Sequence, residues 1–141
     1  MRGEDVPDHR LWARVWVNFL PANGQWAAGT YSIAVTADGT SGACDVTLPL
    51  APCTSSSESC QGTRDWDAIV SGCALPAEQH AIGGIVFGKA TPASVDVVVS
   101  LDGRQLVAET FVPTYQTSHP NGSDCPGTCM GAPSATLSIQ P

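Results

Sequence analysis

The stretch Thr30–Leu50, TYSIAVTADGTSGACDVTLPL, constrains the fold more than any other part of the chain. Apolar and polar residues alternate from Thr30 to Ala37, break at Asp38-Gly39, and alternate again to Leu50. Tyr31, Ile33, Val35 and Ala37 fall on one face of an extended strand, and Thr30, Ser32 and Thr36 on the other. Asp-Gly suits a two-residue hairpin turn, where both central positions need positive φ. Such a turn sets Ile33 opposite Cys44 and Tyr31 opposite Val46. The second strand's own alternation independently puts Cys44, Val46, Leu48 and Leu50 inside. Two separate arguments therefore give one register.

The rest of the chain repeats this pattern. Residues 1–10 are charged and aperiodic and read as a flexible tail ahead of one domain, residues 11–141. Leu11–Leu20 reads as a strand with Leu11, Ala13, Val15, Val17 and Phe19 on one face. Trp12, Arg14, Trp16 and Asn18 lie on the other. Pro21–Gly24 is a turn, and Trp26 and Gly29 lead into the hairpin. Pro52–Thr63 reads as a Ser-rich loop, Trp66–Cys73 as a weaker strand and Pro76–Ala81 as one helical turn. Ile82–Gly88 is a short strand whose paired glycines imply a bulge or a close backbone approach. A second Asp-Gly hairpin spans Val95–Val112. A two-residue loop there pairs Val99 with Leu106 and Val97 with Ala108, and sets Asp96 against Glu109. Those like charges favour a register slip at a bulge, or plain solvation, over a cation held by two carboxylates. Thr114–Pro133 reads as a long loop and Ala135–Ile139 as a last strand. About eight short strands and no long amphipathic helix make the expected fold all-β, an antiparallel sandwich of immunoglobulin-like or Greek-key type.

Composition bounds the partners. Only 13% of residues are charged and the net charge is −7. That balance repels phosphate backbones, so no nucleic-acid partner is expected. No run approaches the ~18–20 apolar residues of a membrane-spanning helix. The six cysteines, an even number in a short chain, point to export and disulfides. Met1-Arg2 opens onto polar sequence, so the expectation is a leader already removed. Cys53 and Cys60 flank TSSSES and Cys125 and Cys129 flank Pro-Gly-Thr, two local pairings. Cys44 is then left with Cys73 as a buried staple. Zinc on Cys125-x₃-Cys129 with Cys53 or Cys60 is disfavoured, since the spacing matches no tight ligand knuckle.

The phrases GQWAAGTYSIAVTADG, CDVTLPL, SGCALPAEQ, TPASVDVVVSLDG and FVPTYQTSHPNGSDCPGTC resemble uncharacterised secreted lipoproteins of myxobacterial type. The resemblance spans roughly residues 24–139 and implies an exported, envelope-attached domain. It brings no catalytic residues. The resemblance implies a lipid on an N-terminal cysteine, whereas the first cysteine in this sequence is Cys44, so no anchoring is expected from these residues.

Candidate chemistry is sparse. His9, His80 and His119 are scattered, with no HxH or HExxH spacing, although Met130 beside Cys129 raises copper as an idea. No G-x-S-x-G motif marks a nucleophile. Asn121-Gly122-Ser123 fits a glycosylation pattern but speaks more for a turn. Trp12 and Trp16 share a strand face, ~13 Å apart, with Arg14 and Asn18 between and beside them. Flat indoles with nearby donors suit a neutral sugar; packing of that face beneath a loop is the plain alternative. The expected function is a non-enzymatic extracellular or envelope module that binds a protein or glycan partner through its loops, without a cofactor or metal. A carbohydrate-binding module using the Trp12/Trp16 face comes second. An enzyme built on dispersed histidines comes third, and a stapled protease inhibitor is a variant of the first.

Overall fold

The structure is a computed structural model that describes residues 15–88, 91–114, 117–118, 129–130 and 134–141. Its strands run in chain order as β1 (Trp16–Pro21), β2 (Gly29–Ala37), β3 (Thr40–Leu48), β4 (Glu58–Gly62), β5 (Trp66–Ser71) and β6 (Ala81–Phe87). They continue as β7 (Val95–Leu101), β8 (Arg104–Phe111), β9 (Thr117–Ser118), β10 (Cys129–Met130) and β11 (Ser134–Ile139), and a single 3-10 turn at Ala77–Gln79 precedes β6. Two sheets form the sandwich, one ordered β11-β1-β6-β5 and the other β4-β3-β2-β7-β8. In the larger sheet β7 returns beside β2 after the β2-β3-β4 meander, which is a Greek-key order. The tract expected to be one loop from Thr114 to Pro133 instead contains β9 and β10, paired as a small ribbon. Among the described residues no helix is long and apolar enough to cross a membrane.

Alternation builds the core as the period-2 pattern demands. Val17 and Phe19 of β1, Tyr31, Ile33 and Val35 of β2, and Cys44, Val46 and Leu48 of β3 all point inward. Val95, Val97, Val99 and Leu101 of β7 and Leu137 and Ile139 of β11 join them in one cluster. The opening hairpin has the expected register, with Ile33 opposite Cys44 and Tyr31 opposite Val46. Asp38 and Gly39 take φ of 51° and 85°, as do Asp102 and Gly103 at 49° and 86°. Both are values for the mirror-image turn that follows the right-handed twist of two strands.

The second hairpin slips at a bulge. Ser100 pairs with Gln105 but Val99 pairs with Val107, leaving Leu106 as the extra residue. The bulge turns both Leu106 and Val107 against the core. It also replaces the Asp96/Glu109 opposition with Asp96 opposite Thr110, whose hydroxyl donates to the Asp96 carboxylate at 2.6 Å. The expected pairs Val99/Leu106 and Val97/Ala108 are thereby displaced by one residue. In β6 the glycines behave as their sequence implied: Ile69 pairs with Gly84 and Val70 with Ile82, so Gly83 is the bulged residue. A Cβ on Gly84 would run into the Val17 carbonyl oxygen of β1.

Two disulfide expectations are corrected. Cys44 is bonded to Cys60 and Cys53 to Cys73, in place of Cys44–Cys73 and Cys53–Cys60. The cause is β4. Part of the polar Ser-rich tract extends the larger sheet beyond β3 and sets Cys60 directly across from Cys44, with Cα atoms 4.0 Å apart. Cys53 is then free to reach Cys73, at a Cα separation of 5.3 Å, tying the β3–β4 connection to the segment after β5. The Cys125–Cys129 pairing lies outside the described residues.

Candidate functional site

Sheet pleating divides β1 into two faces. Val15, Val17 and Phe19 are buried, while Trp16, Asn18 and Leu20 point out from the middle of the four-stranded sheet. Ser134 and Val86 flank Trp16 on the neighbouring strands, and Thr136 and Gly84 flank Asn18. Trp16 is 38% exposed and Leu20 58%, so this face carries an accessible indole on a flat support. Asn18 donates a long hydrogen bond, 3.4 Å, to the Ala135 carbonyl. Trp12 and Arg14, the other two residues expected on this face, lie outside the described residues.

The tryptophans divide by environment. Trp66 is a core residue, 3% exposed, with the Arg64 guanidinium 5.5 Å from its ring centroid and Arg64 also paired to Asp67 at 3.1 Å. Trp26 is half-buried and meets Tyr31 edge to face, ring centroids 5.2 Å apart. Tyr31 in turn donates its hydroxyl to the Ala27 carbonyl at 2.7 Å. Burial pushes the Tyr31 phenol above its ordinary range, and the negative charge of Asp102 adds to the effect.

Between the β1–β2 connection and the turn before β6 lies an open groove of about 390 Å³. Phe19 and Ile82 contribute apolar surface to it, and Trp26, Gln25, Glu78 and Gln79 line it. Its walls are fixed by local backbone bonds. Gly24 N–H reaches Pro21 at 3.0 Å, Gln25 N–H reaches the Asn23 side chain at 3.2 Å, and Gln79 N–H reaches Pro76 at 2.8 Å. This cluster escaped sequence reasoning because Trp26 shows no strand partner and Glu78-Gln79 sits in an isolated turn. The available signal was a large aromatic two residues after the Asn23-Gly24 turn, where burial is incomplete.

His80 closes off the histidine-based chemistries within the described residues. Its Nδ1 accepts the Leu50 N–H at 2.8 Å and its Nε2 lies 2.8 Å from the Leu75 carbonyl. An acceptor at Nδ1 requires the proton on Nε2, so the ring is a neutral bridge between two backbone segments. Neither nitrogen is left to act as a base or a ligand. His9 and His119 lie outside the described residues.

Among the described residues one group has ligating potential by proximity alone: Cys44, Glu58 and Cys60 hold their ligand atoms within 4.8 Å of one another. The two sulfurs are bonded to each other, so neither is a thiolate and only the carboxylate remains. The other face of the sandwich is occupied by cross-strand polar pairs. Thr30–Thr47 at 3.0 Å, Ser32–Asp45 at 2.7 Å and Thr36–Ser41 at 2.8 Å bond to each other across β2 and β3.

No protein-family model, curated protein or solved structure matches this chain.

Proposed function

We propose that the protein is a non-enzymatic binding module, exported to the extracellular space or the cell envelope. The observation that carries this reading is the commitment to structure of the histidine and the bridged cysteines among the described residues. Both nitrogens of His80 hold backbone groups, and Cys44, Cys53, Cys60 and Cys73 are all bridged. Two disulfides belong to a chain that matures in an oxidising compartment. The resemblance to secreted lipoproteins of myxobacterial type fits the same placement. What the described residues present outward includes connections at the ends of the sandwich and the Trp16 face. Purified, oxidised protein is expected to bind cell-surface material saturably while turning over no ester, peptide, phosphate or glycoside substrate. Turnover that a single substitution abolishes would overturn the reading.

The exposure of Trp16 favours a second reading, adsorption of the flat β1 face to an insoluble polysaccharide. A flat sheet with an exposed indole and an amide at Asn18 suits stacking on the planar surface of such a polymer. Sedimentation with insoluble neutral polysaccharide is expected to carry down the wild type and to leave Trp16→Ala in solution. Equal recovery of both proteins removes the face from consideration.

A further inference from the structure

The groove beside Trp26 is of a different kind from the flat face of β1, being concave, walled by two fixed turns and fully built from described residues. We infer that it is a binding site for a neutral saccharide, with Trp26 as the stacking surface and Gln25, Glu78 and Gln79 as its hydrogen-bonding rim. The inference rests on the binding-module reading above and names the ligand class for its loop surface.

Four features select that chemistry. The volume, about 390 Å³, falls within the range of small-molecule sites. One half-buried indole meets an apolar floor of Phe19 and Ile82, which offers the C–H face of a pyranose ring an aromatic partner. The rim carries two carboxamides and one carboxylate, groups that together donate to and accept from neighbouring hydroxyls. None of their side chains is hydrogen-bonded among the described residues, so all are open to a ligand. No Lys or Arg lines the groove and the chain carries a net charge of −7, which turns away anionic ligands such as phosphates and uronates.

The site is also pre-shaped. Trp26 is held by Tyr31, which is anchored to Ala27; the opposite wall is held by the His80 bridge to Leu50 and Leu75. Binding therefore orders little beyond the three rim side chains, which lowers its entropic cost.

The test is titration calorimetry of the oxidised protein against short neutral oligosaccharides, with an oligouronate as the charged control. Wild type is expected to bind a neutral oligosaccharide and to ignore the oligouronate. Trp26→Ala is expected to weaken binding by roughly tenfold or more, Trp26→Tyr to stay within a few-fold of wild type, and Gln79→Ala to lose several-fold. Trp16→Ala is expected to bind as wild type does. Because Trp26 touches the core residue Tyr31, its alanine variant is read only if it unfolds cooperatively. If it does not, the exposed pair Glu78→Gln with Gln79→Ala decides the matter. The groove is overturned if the panel yields no neutral ligand, or if a folded Trp26→Ala or Gln79→Ala variant, or the Glu78→Gln, Gln79→Ala pair, binds undiminished. Loss of oligosaccharide binding in Trp16→Ala alone also overturns it, while leaving the binding-module reading standing.

Discussion

At the scale of single residues, His80 and Tyr31 show how polar groups are buried here without loss. Each is inside the sandwich and each has its polar atoms met by backbone. Removing the hydrogen-bond partner of a buried N–H or C=O costs about 1–3 kcal/mol for each group stranded. His80→Leu strands the buried Leu50 N–H and also removes the partner of the Leu75 carbonyl, and it is expected to lower the urea midpoint well below that of wild type. His80→Asn, whose amide oxygen can sit where Nδ1 accepts, is expected to lose distinctly less. Equal midpoints for the two variants would show that the ring acts by volume alone. Tyr31 gives a pH dependence with a definite sign. Its phenol titrates higher in the folded chain than the ~10 of an unfolded one. Below that value the two states hold the same proton; above it the unfolded chain releases the proton first and is favoured. Stability contributed by the neutral phenol is therefore lost as pH rises from about 10 through the folded value. Thermal melts from pH 8 to 11 are expected to show wild type falling more steeply than Tyr31→Phe. Parallel curves would contradict the assignment.

At the scale of elements, the two Asp-Gly hairpins do more than turn the chain. Their central strands β2 and β7 pair with each other, so each turn ends beside the start of the other hairpin. Asp38 accepts the N–H groups of Ala93 and Ser94 at 3.0–3.1 Å, and Asp102 accepts that of Thr30 at 2.9 Å. The backbone completes both clasps, Asp38 N–H to Ser94 and Asp102 N–H to Thr30. A carboxylate offers only acceptors at these sites, whereas the Asn of an Asn-Gly turn also presents an NH₂ group. Asp38→Asn is thus expected to keep the turn yet cost about 1 kcal/mol in chemical denaturation, with Asp38→Ala costing more because it also disfavours positive φ. These hairpins were legible from Ile33, Cys44, Tyr31 and Val46, since alternation and turn chemistry are both local. The bulge at Leu106 was foreshadowed only as an objection to facing Asp96 with Glu109. Its position follows from where two consecutive apolar residues, Leu106 and Val107, both find the core, and a period-2 pattern cannot register that. The outward-facing Trp16 and Asn18 followed from the alternation of β1; the Trp26 groove did not, because two connections distant in sequence build it.

At the scale of the whole molecule, the disulfides mark where sequence logic gave way to tertiary packing. Loop length favoured Cys53 with Cys60, but Ser59, Cys60 and Gln61 lie in a strand, and strand pairing fixes partners by register. The polar β4 is an edge strand, and edge strands need no apolar alternation to form once a neighbour offers its backbone. The larger sheet's other edge is managed differently. The bulge at Leu106 interrupts β8, and Glu109, opposite the buried Val97, stays exposed, a charge that discourages a further strand from adding there. The two bridges then differ in access. Cys44 is fully buried and Cys60 half-buried, whereas both Cys53 and Cys73 are exposed. A thiolate must approach a sulfur to exchange with it, so the Cys53–Cys73 bond is the one open to attack in the folded state. Stepwise reduction with a small dithiol, followed by alkylation and peptide mapping, is expected to label Cys53 and Cys73 first. Cys44 and Cys60 are expected to react only as the fold opens. Each bridge closes a loop of 16 or 20 residues, for which chain-entropy reasoning gives about 3 kcal/mol. The partly reduced protein is therefore expected to stay folded at a lower melting temperature, with new protease sensitivity confined to the Ser-rich connection around Cys53. Simultaneous labelling of all four cysteines would show that burial does not protect Cys44–Cys60 and that the sandwich opens as one unit.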